Sequence, residues 1–254
     1  MINQISLGPL TIYFYGIIAA FSIILALILS LSRAGRFKLK QDTIFDLFLF
    51  IFPFSLIGAR IYHVVDKLQY YCQFPIKILF LWEGGLAIYG ALLGGILAVW
   101  IFSKIKKIKF LNLLDLLAPS VALTQSIGRW GNYFNQEAYG PPINPPLGTF
   151  ILPKNRLPSV EAYQYFHPTF FYESILMFLT FIILLKLTPK LKESPGKIVS
   201  IYFIFYGIIR FFLEYLRLDT QVLFVLKPAQ FFSLAFIIFG LILFKGKSSH
   251  KHIP

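Results

Sequence analysis

The chain has 254 residues, of which 57% are hydrophobic and 14% charged, with a formal net charge of +13. That composition excludes a disordered chain and an ordinary soluble globule and points to a polytopic membrane protein. The basic balance raises nucleic acid as a partner, but the placement of the charge along the chain argues against it.

A helix needs about 20 predominantly apolar residues to cross a bilayer core. Seven stretches qualify or come close, at approximately 12–32, 43–63, 85–103, 112–128, 169–187, 198–216 and 229–244. The first run has no basic n-region or small-residue cleavage site before it, so it is expected to remain as the first span. With seven spans, RAGRFKLK (33–40), KIKKIK (104–109), residues 186–197 and the tail from 245 fall on one side, and together they hold 15 of the 24 lysines and arginines. This positive-inside pattern places those loops in the cytoplasm, with the N-terminus outside and the C-terminus inside. The basic charge is therefore a topology signal, helped by anionic membrane lipids, and no nucleic acid is expected. The expected fold class is an all-α integral membrane protein of about seven transmembrane helices, one polytopic domain over residues 1–254.

The outward segments are then 1–11, 64–84, 129–168 and 217–228. The third is the longest and is rich in Pro, Gly and Asn, which predicts an irregular extracytoplasmic lobe between spans four and five; long loops of this kind tend to be functional. Ionisable and polar residues gather at the same membrane boundary. Arg60 closes the second span, Tyr89 opens the third, and Arg129, Asn132, Asn135 and Glu137 end the fourth. His167 and Glu173 open the fifth. On the sixth, Tyr206, Arg210, Glu214 and Arg217 are separated by 4, 4 and 3 residues and so share one helical face, with Arg210 and Glu214 able to pair.

A polar stripe on such a helix must face protein or water. A single arginine near a helix end is most simply read as snorkelling to the interface or as a structural ion pair. Four arginines at one depth, with Glu173 and Glu214, point instead to a polar cavity open to the outer leaflet. Excess cationic groups there suit an anion such as a phosphate, which Arg binds through bidentate, charge-assisted hydrogen bonds. EGGLAIYGALLGG has five glycines in 13 residues, fitting either a positive-φ turn or a close helix crossing. Cys72 stands alone, so no internal disulfide forms, and neither a metal site nor a cofactor is expected.

GRWGNYFNQEAYG (128–140) resembles the signature of the prolipoprotein diacylglyceryl transferase family, G-R-x-G-N-x-x-N-x-E-x-x-G, at every fixed position. The resemblance extends through IYFYGII, GARIYHVV, WEGGLAIYG, HPTFFYES, YGIIRFFLEYLR and the weaker KPAQFFS. It implies transfer of the diacylglyceryl group of phosphatidylglycerol to the lipobox cysteine of a prolipoprotein signal peptide. It also implies a bacterial cytoplasmic (inner) membrane location, with the site toward the outer leaflet. By the same resemblance Arg210, Tyr206 and Tyr89 are catalytic. The resemblance puts Arg129 on the phosphate, and Asn132, Asn135, Glu137, Arg60, Tyr15, Glu214 and Arg217 are expected to bind substrate beside it. Some members of the family carry His where this chain has Tyr89, and Ala229 stands where Gly is common. Because the nucleophile is the substrate's thiol, Cys72 is expected to be incidental. Two other readings compete: a transporter or flippase of an anionic lipid, which lacks the matched broken helices of alternating access, and a binding protein without chemistry.

Overall fold

Each long apolar run folds as an α-helix, because a bilayer core offers backbone N–H and C=O groups no partner outside their own segment. The computed structural model describes residues 4–7, 10–218, 220 and 225–246. Among them seven helices are long and apolar enough to cross a membrane. They are α1 (Phe14–Arg33), α2 (Gln41–Asp66), α4 (Ile88–Ile105), α5 (Phe110–Asn135), α6 (Thr169–Leu191), α7 (Lys197–Leu213) and α8 (Pro228–Lys245), with the short α3 (Leu68–Gln73) after α2. Each coincides with an expected span to within a few residues except at the end of α5. That helix runs past residue 128 to Asn135, so most of the signature lies on a helix and the irregular segment starts only at Gln136. Lys247 and Lys251 of the basic tail, and parts of the outward segments 1–11 and 217–228, lie outside the described residues.

The chain divides into two compact units, residues 1–29 with 115–254 and residues 30–114. In the second, α2 and α4 cross at contact distance. A Cβ at Gly58 would strike the Gly90 carbonyl, one at Gly90 the Gly58 carbonyl, and one at Gly94 the Phe54 carbonyl. Small residues let helix backbones approach in this way where no hydrophobic force drives them together. In the first unit α5 and α6 are joined by two reciprocal hydrogen bonds, Ser126 Oγ to Ser174 O and Ser174 Oγ to Ser126 O, both 2.8 Å. Large apolar side chains such as Phe21, Ile24, Ile28, Phe52 and Ile242 are exposed, as expected of faces that meet lipid tails.

Between α5 and α6, strands β3 (Thr149–Phe150) and β4 (Tyr165–Phe166) pair antiparallel. A second small pairing joins β1 (Gln4–Leu7) to β2 (Leu10–Tyr13) ahead of α1. The expected lobe is irregular but has its own core of Tyr139, Ile151 and Phe166, packed by Leu157, Val160 and Leu218. The buried Gln136 organises it: Nε2 donates to Phe150 O at 3.2 Å, and Oε1 accepts from Leu152 N and Asn155 Nδ2, each at 3.0 Å.

At the opposite ends of α5 and α6, the fully buried Asp115 accepts from Gly196 N (2.7 Å) and Val199 N (2.8 Å). A carboxylate on α5 thus caps the N-terminus of α7, where a helix has unsatisfied N–H groups and partial positive charge. Asp115→Ala would leave these donors buried without their acceptor and is expected to cost about 1–3 kcal/mol. A fall in the thermal unfolding midpoint of the detergent-solubilised protein checks it.

Candidate active site

The site lies in the first unit, where the end of α5, the start of α6 and the end of α7 present charge to one another. Arg129 Nη2 on α5 donates to Glu173 Oε1 on α6 at 2.5 Å. Glu173 Oε2 lies 3.6 Å from Arg210 Nη1 on α7, and Arg210 Nη2 lies 2.6 Å from Glu214 Oε2. Glu214 is fully buried, while Arg129 keeps 24% of its side-chain surface. The Arg210–Glu214 approach is an ion pair by distance and not a hydrogen bond by direction. Arg210 Nη1 and both Glu214 oxygens make no hydrogen bond among the described residues. Arg129, Glu173 and Arg210, with Asn132, Thr169 and Arg217, line one cleft, and Glu214 lies buried behind Arg210.

The signature asparagines extend the network. Arg129 Nη1 donates to Asn132 Oδ1 at 3.4 Å, and the amides of Asn132 and Asn135 both donate to Glu137 Oε1, at 2.9 and 3.1 Å. The backbone allows this by turning sharply after Asn135: Gln136 and Ala138 both take positive φ, 54° and 56°. The Thr169 hydroxyl donates to the Ala138 carbonyl and ties the turn to α6. The signature glycines have steric reasons. A Cβ at Gly131 would enter the Tyr15 ring of α1, and one at Gly140 would lie 2.8 Å from His167 Cβ and 3.0 Å from Leu216 O. Tyr15 thus lies against the helix that carries Arg129. His167 Nδ1 is 3.0 Å from the Tyr172 hydroxyl in the first turn of α6.

The sixth-span face is one helix for part of its length only. α7 ends at Leu213, Glu214–Leu216 is a 3₁₀ turn, and Arg217 lies beyond it. Arg210 and Arg217 nonetheless reach the same cleft, and Glu214 pairs with Arg210. One turn earlier, the Tyr206 ring stacks on Tyr202 (centroids 6.0 Å) and meets Phe236 edge-on (5.7 Å).

Three side chains that complete this arrangement had no role assigned from the sequence, although Glu173 was expected at the polar cavity. Glu173 was visible as an ionisable group at the boundary, but its bridging position depends on three helices meeting. Lys227 and Gln230 belong to the weak KPAQ match. Lys227 Nζ donates to the carbonyls of Glu214 (2.8 Å) and Arg217, and Gln230 accepts from Lys227 N and donates to Phe211 O. Together they fasten the start of α8 to the turn that carries Glu214.

Arg60 and Tyr89 belong to the second unit. Arg60 was expected to bind substrate, but its five N–H groups are already committed to carbonyls: Nε to Ile78 (2.8 Å), Nη1 to Gly84 (2.7 Å) and Gly85 (3.1 Å), and Nη2 to Lys77 and Phe80 (3.2 Å). No N–H of Arg60 remains for a phosphate. The guanidinium also lies over the Tyr71 ring at 5.3 Å. It gathers the segment between α3 and α4, whose Gly84 and Gly85 take positive φ. In the same segment the hydrogen bond from Lys77 to Glu83 (3.0 Å), then that to Tyr70, holds the Lys77 ammonium above the ordinary lysine range. Tyr89 is largely exposed, its ring 6.0 Å from that of Tyr62.

Fold and site together define a multi-pass membrane protein with an arginine–carboxylate cleft at the ends of three of its apolar helices. The family described as prolipoprotein diacylglyceryl transferase matches residues 3–245, and the chain belongs to it. Relatives named phosphatidylglycerol–prolipoprotein diacylglyceryl transferase include that of Trichormus variabilis, 40% identical over 93% of this chain and 86% of the relative. That of Oceanobacillus iheyensis is 41% identical over 94% and 85%, and that of Streptococcus agalactiae 37% identical over 100% and 99%.

Lysine at position 60 has three donors on a flexible stem and cannot span the five carbonyls. Arg60→Lys is therefore expected to speed hydrogen exchange at residues 75–85, read by mass spectrometry, while peptides covering 126–137 exchange as in the parent protein.

Proposed function

We propose that this protein transfers the diacylglyceryl group of phosphatidylglycerol to the lipobox cysteine thiol of a prolipoprotein signal peptide. The new bond is C–S. The bond broken joins the glyceryl carbon to a phosphate oxygen, which keeps the electron pair and departs as glycerol 1-phosphate, and the thiol proton passes to the medium or to the departing phosphate. Two demands follow: the sulfur must attack as thiolate, and the charge growing on the phosphate must be met by fixed cations.

The observation that carries the reading is the pair of arginines brought together from α5 and α7, with Arg210 Nη1 left without a hydrogen bond at the cleft. Arg129 and Arg210 are the phosphate contacts in this reading. Asn132, Asn135 and Glu137, already joined to Arg129, accept and orient the glycerol hydroxyls. Arg217 adds positive charge, Glu214 holds Arg210, and Tyr15 and Tyr206 shape the approach. Tyr89 contributes a hydroxyl for hydrogen bonding in this reading. Arg60 is left out of the substrate contacts. Membership of a transferase family speaks for this reading over a transporter or flippase.

Incubation of the purified protein with phosphatidylglycerol and a lipobox peptide is expected to add one diacylglyceryl mass to the peptide. In that assay Arg129→Lys and Arg210→Lys each keep the charge but lose the planar fork that grips two oxygens. Each is expected to reduce turnover by about 10²–10³-fold with normal membrane insertion. Near-parental turnover in both would remove the paired-arginine mechanism.

We further infer, from the loop charges, an inner-membrane orientation with the N-terminus outside, the C-terminus in the cytoplasm and the cleft toward the outer leaflet. Cys72→Ser is expected to retain transfer, because the acceptor thiol belongs to the substrate, and so provides the background for labelling. A cysteine placed at Asn155 on it should react with an impermeant maleimide added outside; reaction from the cytoplasmic side alone would reverse the topology.

A further inference from the structure

Two guanidinium groups carried by different helices repel each other, and nothing in α5 or α7 alone holds them together. Each has a near partner of its own close by in the chain, Asn132 for Arg129 and Glu214 for Arg210. Among the described residues, the carboxylate within ion-pair distance of both is Glu173, with one oxygen toward each. It is buried, at 4% exposure, early in α6, beside the reciprocal Ser126–Ser174 hydrogen bonds that fix α6 against α5. Its reach is therefore set by helix packing and not by a loop.

We infer that Glu173 is a positioning residue: its carboxylate bridges Arg129 and Arg210 and sets the gap in which both can grip one phosphate. The inference rests on the reading of those arginines as phosphate contacts.

Charge supports the same assignment. Arg129, Arg210 and Arg217 line one cleft with Glu173, so cationic groups outnumber carboxylates on the surface that a phosphodiester would meet. As the C–O bond breaks, negative charge concentrates on the departing phosphate, and two guanidinium groups already held in place meet it without reorganising. The Glu173 carboxylate also competes with the phosphate for the same N–H groups. Its presence weakens ground-state binding of the lipid while it preserves the geometry needed later. A residue with those two opposed effects leaves a kinetic signature that a purely structural residue does not.

The test is steady-state transfer to the lipobox peptide, with phosphatidylglycerol varied in mixed micelles, for the parent, Glu173→Gln and Glu173→Asp. Glu173→Gln removes the competing charge and the bridge. It is expected to lower KM for the lipid several-fold and to lower kcat by about 10²-fold, the scale of loss from misplacing a reacting group by about 1 Å. Glu173→Asp keeps the charge on a shorter stem; its KM should stay near the parental value and its kcat should fall less. A Glu173→Gln kcat within twofold of the parent, or a raised KM in both variants, would overturn the inference while leaving transfer by the parent protein intact. If Glu173→Gln does not fold, Glu173→Asp decides: reduced kcat at parental KM supports the bridge, and parental kcat overturns it. A parent protein that adds no mass to the peptide would instead overturn the transfer reading, and the Glu173 assignment with it.

Discussion

Charge placed among apolar helices has to be compensated where it stands, and the first unit is arranged around that requirement. An isolated ion moved out of water loses solvation worth several kcal/mol even after relaxation, and an opposite charge restores it only when the geometry is close. The sequence Glu214, Arg210, Glu173, Arg129 alternates in sign across the 3₁₀ turn, α7, α6 and α5, so each of those elements is constrained by its neighbour's charge. The surrounding structure serves the same end. Paired serines hold α6 at a fixed distance from α5, and Lys227 and Gln230 hold the turn that carries Glu214. A tight turn at Gln136–Ala138 brings Glu137 back onto the asparagines.

Two arginines, Arg60 and Arg210, show how partners decide a role. Arg60 is surrounded by neutral carbonyls that take every donor, so it acts as a centre around which a loop folds. Arg210 is surrounded by carboxylates that satisfy its charge but not all its N–H directions. An anion with several oxygens suits the second environment and has nothing to bind in the first. The residue type is the same in both cases, and the difference lies in what the folded chain brings to the guanidinium.

Much of this molecule is legible in its sequence, because the bilayer imposes a simple rule. Apolar length reads directly as span, and the seven helices fall close to the runs that hydrophobicity marks. Local spacing reads directly too: Arg210 and Glu214, four residues apart, pair as their spacing implies. The motif GRWGNYFNQEAYG, dense in amides and glycines, marks the functional segment for the same reason, since that much hydrogen-bonding capacity has no place in a plain membrane exit. The end of α5 was less legible. Gly, Asn and Arg are weak helix formers or polar, yet helix packing and the Gly131–Tyr15 approach carry the helix on to Asn135.

The sequence by itself determined the helices, the asymmetry of basic loops and the inventory of charged groups, all properties of short stretches of chain. Which charges meet was decided by the tertiary structure. The Glu173 bridge joins residues on three separate helices, and the five carbonyls around Arg60 come from a loop some 17 to 25 residues away in the chain. Electrostatic and hydrogen-bond partners are set by distance in space, and only the packing of the helices converts spacing along the chain into that distance.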